Sequence, residues 1–278
     1  MGHHDGHGHH DEHATGGSGT GTVILTVVAV AVMTYAMGWA SRPGLPLPED
    51  IRENAGPGYF EPLPARGPAD AAVVVVDVID FKCGHCAKHH GFLKRLMAEH
   101  RDLRFAVKFL PFMKKDESER AAIAAMAANR QNRFWDYADM LYKHQSDAWD
   151  AETLIKYAEA LGLNPQRFRA DMRDPALRSY VRRDKAAAEA LDVGGTPTLY
   201  VNGRTVPVDA IGPVGDPSMF RTMVRDAQRA VAARVATGSD VVTARAADAE
   251  KHSSQGGAFA RLYMLNDAQD LTVDLRSE

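Results

Sequence analysis

The chain has 278 residues, 45% hydrophobic and 25% charged, an ordinary globular mixture that excludes a wholly disordered or fibrous protein. Lys and Arg number 33 against 36 Asp and Glu, so the net charge of -3 lacks the basic excess that neutralises phosphates, and no nucleic-acid partner is expected. The two cysteines, Cys83 and Cys86, lie three apart; a bond between them closes too small a loop to staple a fold, so a pairing there points to chemistry.

Residues 1–21 are mostly Gly, His, Ser and Thr and hold six of the twelve histidines. With almost nothing apolar to bury, they read as a mobile tail. From Thr22 to Ala40 run 19 residues without a charge, which as a helix reach ~28 Å, just enough for a hydrocarbon core of ~30 Å. Tyr35 and Trp39 stand near the C-terminal end, where amphipathic rings favour the membrane interface. A cleaved signal peptide is the alternative, but such a signal starts with a positive region, and the first 41 residues contain no Lys or Arg. The reading is therefore an uncleaved anchor over 22–40. Residues 41–70 carry seven of the fourteen prolines, which predicts an extended, semi-stiff spacer with no part in a core.

The β-branched run Ala72 to Phe81 predicts a central strand covered on both faces, with Asp77 buried in it. A helix follows from the Cys-Gly-His-Cys segment, with Phe92, Leu93, Leu96 and Met97 on its apolar stripe, and Leu103 to Phe112 predicts a second strand. Strand, crossover helix and strand make a βαβ unit. About 117–191 is helical throughout: Asn164-Pro165 and Asp174-Pro175 each pair an N-cap with proline at the first helical position. Asn202-Gly203 between two apolar runs predicts a tight hairpin, and Ser218 to Val235 a final amphipathic helix. The domain proper is thus placed at 71–236, with 237–278 a C-terminal extension whose weak periodicity predicts nothing.

The chemistry centres on Cys83-Gly84-His85-Cys86, at a strand-to-helix junction. A thiol at a helix N-terminus lies among free backbone N–H groups that favour thiolate, which makes Cys83 the nucleophile. Cys86, deeper and within disulfide reach, is the resolving thiol. A protonated His85 between them further favours the thiolate and makes the disulfide more oxidising. Asp77, buried six residues before Cys83, is suited to take the proton of Cys86. Thr196-Pro197 before a strand is a candidate cis bond whose backbone pairs with a substrate peptide. His89 and His90, on the same helix, are expected to face solvent. No metal site is expected at the cysteine pair, because a second pair of ligands is missing downstream. The His-rich tail offers imidazoles suited to Cu(II) or Ni(II), with His3 or His4 third from the amine.

The order of strand, CGHC at a helix start, strand, helical insertion, Gly-Thr-Pro-Thr, hairpin and terminal helix resembles the thioredoxin fold in its DsbA-like form over about 70–236. The resemblance implies an α/β thioredoxin-like fold with an all-helical insertion, here preceded by one transmembrane helix. It assigns buried proton transfer to Asp77 and a cis peptide to Pro197, with Thr196 beside it. CGHC is the pattern of protein disulfide isomerase, and Thr before the cis-proline resembles DsbC proteins, so oxidase, isomerase and reductase directions all stay open. The family reading implies a membrane-tethered thiol:disulfide oxidoreductase acting on cysteine-containing proteins. No cofactor is implied beyond the Cys83–Cys86 disulfide. Reoxidation falls to a membrane partner of DsbB type, and the bilayer is contacted through 22–40.

A copper- or zinc-handling protein using the tail and the cysteine pair is the reading from a different class. Arg42 and Arg52, flanking only the C-terminal side of the apolar segment, argue for an inward-facing domain. Long domains translocate with little regard for such counts, and disulfides persist outside the cytosol, so an extracytoplasmic, periplasmic domain is expected.

Overall fold

The computed structural model describes residues 63–207 and 217–252. The His-rich tail, the apolar segment 22–40 and most of the spacer lie outside the described residues. Among the described residues, no helix is long and apolar enough to cross a membrane.

The strands are β1 (Ala65–Arg66), β2 (Val74–Ile79), β3 (Arg104–Phe109), β4 (Thr198–Val201) and β5 (Arg204–Thr205). They form one sheet in the order β1-β3-β2-β4-β5, with β2 and β3 parallel and the other pairings antiparallel. Helix α1 (Gly84–Glu99) is the crossover between β2 and β3. Five helices follow before β4: α2 (Lys115–Asn129), α3 (Phe134–Lys143), α4 (Ala151–Ala160), α5 (Pro165–Arg173) and α6 (Pro175–Ala190). Two more, α7 (Pro217–Val235) and α8 (Val241–His252), close the described chain.

Strand β2 is buried at every position. Its alternation divides the core: Val73, Val75 and Ile79 face one side, with Phe92, Leu93 and Leu96 of α1 and Phe220 and Met223 of α7 gathered around the first two. Val74, Val76 and Val78 face the other, against Ala188 of α6 and Ala249 of α8. The helical insertion makes its own large cluster around Tyr137, Trp149, Phe168 and the alanine-rich α2, and that cluster is continuous with Phe81, Cys83 and Cys86. The Cys83–Cys86 segment is therefore built into the seam between sheet and insertion.

The local signals translate directly. Asn164 and Asp174 cap α5 and α6 by accepting from the N–H groups of Arg167 and Ala176, with proline at the first helical turn. Asn202 and Gly203 both take positive φ, 41° and 80°, the geometry a two-residue hairpin turn requires. The second strand stops short of Phe112 because the N–H groups of Phe112 and Met113 turn to Asp80 Oδ2, after Pro111, which has no N–H to donate.

Both boundaries of the domain differ from the sequence expectation. The spacer was expected to contribute nothing to the core, yet Leu63 is buried and Ala65–Arg66 add an edge strand to β3. Gly67, at φ +104°, lets the chain pass against β3: a Cβ there would lie 2.0 Å from the Leu103 carbonyl oxygen. Two apolar residues and one backbone approach are too short a signal to stand out among prolines. At the other end, α8 belongs to the fold. Arg245 is fully buried and donates to the carbonyls of Ala69 and Ala71, while Asp248 accepts from Asn202 Nδ2. Its burial is largely polar, so hydrophobic periodicity did not reveal it.

On the α6 side of the sheet, Lys108 of β3 meets Asp184 at 3.0 Å, both almost wholly buried. Asp184 also accepts from the Phe109 N–H. Removing Asp184 takes away the carboxylate that balances a buried charge. Asp184→Ala is expected to lower stability by about 3–5 kcal/mol, while the paired replacement Lys108→Met with Asp184→Leu recovers most of it, both read by urea unfolding.

Candidate active site

Cys83 is the N-cap residue of α1, and the helix offers no side-chain cap there. The orphan N–H groups of the first turn are thus free to face the sulfur. Several groups lower the Cys83 thiol to about 5: first the Cys86 thiol as hydrogen-bond donor, then the main-chain N–H groups of Cys86 and His85, against burial, which raises it. In the thiol form Cys83 Sγ donates to the Thr196 carbonyl oxygen at 3.2 Å. Cys86 goes the other way, pushed far above the ordinary range by burial, by the hydrogen bond it gives Cys83 and by the nearby Asp77 carboxylate. Both cysteines are free thiols.

Cys83 is 3% exposed and Cys86 1%. Access to Cys83 lies at its rim: Gly84 and His85 are exposed, Thr196 and Pro197 half-buried. A Cβ placed at Gly84, Gly194 or Gly195 meets nothing within 4 Å, so the rim is open. The Thr196-Pro197 peptide is cis, as the resemblance implied, and lies against Cys83. Phe112 and Met113, both exposed, belong to the loop that Asp80 ties to the active-site segment.

Asp77 is 3% exposed, and burial raises its carboxyl to about 8. Its neighbours in register on β3 and β4 are Val107 and Leu199, so the sheet offers it no polar partner. His85 is exposed, and the part of it that acts on Cys83 is the main-chain N–H.

Sequence reasoning misplaced two neighbours and missed two. His89, expected at the surface, is 2% exposed and sits 3.6 Å from Asp77, and His90 is half-buried against Asp139. The signal was available: 86, 89, 93 and 96 follow the helical period, and three of them are Cys86, Leu93 and Leu96 of the buried stripe. Gln145, in the loop after α3, donates through Nε2 to the carbonyls of Phe81 and Cys83. Lys82 is buried beside it, bonded to the Gln145 and Asp147 carbonyls, paired with Glu117 at 2.8 Å and seated 3.8 Å over the Trp149 ring. These contacts join segments more than 30 residues apart, and no local pattern marks them.

This arrangement, a thiol pair at the head of the crossover helix beside a cis-proline loop and over a buried carboxyl, defines a class. The family model described as Thioredoxin matches residues 61–212, and the chain belongs to the thioredoxin family. Solved structures share the fold: BdbD from Bacillus subtilis (TM-score 0.52, 21% identity, 60% of this chain and 93% of that one), and the thiol-disulfide exchange protein alpha-DsbA2 from Wolbachia pipientis (TM-score 0.53, 20% identity, 64% and 94%). Among curated proteins, the Na(+)/H(+) antiporter NhaA of Herminiimonas arsenicoxydans is 41% identical over 140 residues, half of this chain but 22% of the antiporter. NhaA 3 of Salinispora tropica is 36% identical over 140 residues, 21% of its length. The chain thus spans about a fifth of these relatives.

Two outcomes follow. Thiolate absorbance of the reduced protein titrates with a midpoint near 5 for Cys83, and Cys86→Ala, which removes the thiol that contributes most to stabilising the anion, moves the midpoint upward. For Asp77 the raised value makes the folded state hold a proton that the unfolded chain has lost, so stability falls as pH rises from about 4 to about 8. Asp77→Asn removes that loss and is expected to exceed the parent by about 5 kcal/mol at pH 8 and by little at pH 4, measured by denaturant unfolding at each pH.

Proposed function

We propose that the chain is a thiol:disulfide oxidoreductase working through Cys83 and Cys86. The observation that carries the reading is the divergence of the two thiols: Cys83 held anionic at neutral pH at an open rim, Cys86 held neutral beneath it. A client thiolate attacks Cys83 in the disulfide form, the Cys83–Cys86 bond breaks, and Cys86 leaves, taking a proton from Asp77. A second client thiolate then attacks the client sulfur of the mixed disulfide; the client disulfide forms and Cys83 departs as the thiolate its surroundings favour. Low leaving-group pKa speeds that departure and stabilises the reduced enzyme, which makes its disulfide oxidising. Thr196 and Pro197 border the approaching peptide, and exposed Phe112 and Met113 offer apolar contact to an unfolded client.

Formation or rearrangement of disulfides in exported proteins is the task such a couple fits, with the domain extracytoplasmic and tethered through 22–40. A membrane oxidase of DsbB type is the reoxidant. The Cys83–Cys86 couple needs no metal or organic cofactor.

The test is turnover of a reduced, unfolded disulfide protein by the full chain. With glutathione disulfide as the oxidant, Cys83→Ser abolishes turnover and Cys86→Ser accumulates a mixed disulfide with the client on Cys83. Full activity in either variant defeats the assignment. A potential near that of thioredoxin, roughly -270 mV, would reverse the direction to a reductase, whereas a value near the isomerases, roughly -180 mV, supports the oxidising reading.

A further inference from the structure

The buried face of α1 holds a polar group that the chemistry above leaves unused. His89 lies one turn beyond Cys86 and is 2% exposed. Neither of its ring nitrogens has a hydrogen-bond partner, nor does Asp77 Oδ1, and His89 Nε2 stands 3.6 Å from that oxygen. Two desolvated polar groups without partners cost several kcal/mol if they stay so, an arrangement tolerated chiefly at functional sites.

The elements around Asp77 restrict what else could serve. In register, β3 presents Val107 and β4 presents Leu199, both apolar. From α3 comes Tyr142, whose hydroxyl burial keeps protonated, and the loop after β2 carries Asp80, whose carboxylate is already taken by the N–H groups of Lys82, Phe112 and Met113. From α1 come Cys86, His89 and His90, the last engaged with Asp139, which also binds Lys94. His89 is thus the one neutral base facing the Asp77 carboxyl among the described residues.

We infer that His89 is the proton-holding partner of Asp77, a positioning residue that lets the buried carboxyl present itself to Cys86 as a carboxylate. The inference rests on the oxidoreductase reading and specifies its resolving step. Asp77 passes its proton to His89 Nε2, leaving a carboxylate beside an imidazolium. The carboxylate takes the proton of the Cys86 thiol. The Cys86 sulfur attacks Cys83 of a mixed disulfide, the Cys83–Cys86 bond forms, the Cys83–client bond breaks, and the client sulfur leaves with the electron pair as a thiolate. The net movement is one proton from Cys86 to His89, which later returns it to water. Burial keeps both groups neutral at rest, with Asp77 raised to about 8 and His89 lowered to about 4.

The experiment uses the reduced full chain and an aromatic disulfide reagent that releases a coloured thiolate twice, once when Cys83 attacks it and again when Cys86 resolves the mixed disulfide. With His89→Phe, the first phase keeps its rate and the second slows on the order of ten-fold at pH 7. The deficit of the variant narrows as pH rises toward about 8, where Asp77 loses its proton to water in both proteins. His89→Gln, which can hydrogen-bond but cannot carry the proton, stays slow, and Asp77→Asn with His89→Phe is no slower than Asp77→Asn alone. An unchanged second phase in His89→Phe, full recovery in His89→Gln, or additive slowing in the double variant overturns the inference. Absence of the first phase in the parent instead defeats the reading of Cys83 on which it rests.

Discussion

Two sulfurs less than one helical turn apart are held at opposite ends of the thiol range, and the cause is hydrogen-bond direction combined with desolvation. At the head of α1, the donors converge on Cys83: the Cys86 thiol and two main-chain N–H groups. One turn deeper, Cys86 has the carboxyl of Asp77 and an apolar cluster around it, and its own proton is spent on Cys83. Each thiol therefore reinforces the other's state, because a donor given by Cys86 is a donor received by Cys83. An anionic thiol and a neutral one arise from identical side chains through placement alone.

That placement needs three separate pieces of chain. Strand β2 delivers the loop and the buried Asp77, and the β4 approach brings Thr196 against the sulfur. The helical insertion supplies the third: Gln145 holds the carbonyls of Phe81 and Cys83, while Lys82 is fixed by two main-chain carbonyls, Glu117 and the face of Trp149. A cation buried this thoroughly is tolerated only with such a shell of partners, and the shell ties the residue before Cys83 to the insertion. The insertion is thus part of the active site rather than an ornament on the sheet.

The buried carboxyl and imidazole under Cys86 add a second consequence of the same desolvation. In water, Asp77 and His89 would ionise independently; side by side among Val107, Leu199 and Phe92, they lose that freedom and hold one proton between them. A site that must move a proton without admitting water gains from such a pair, because the charge it creates is balanced where it forms.

Much of this was legible beforehand. The β2 run, the CGHC helix start, the two Pro-capped helices and the Asn-Gly hairpin are local signals, each read from a few adjacent residues whose conformational preferences survive any tertiary context. Cys83, Cys86 and Asp77 were legible because a strand-to-helix junction brings close neighbours in sequence close in space. Tertiary structure alone decided the rest. Leu63, β1 and Arg245 joined the core through contacts too few or too polar for periodicity to register. Gln145 and Lys82 met across more than 60 residues, and His89 turned inward because the helix face carrying Cys86 is the face packed on the sheet. Burial is a property of what arrives from elsewhere in the chain, and so is the chemistry that burial produces.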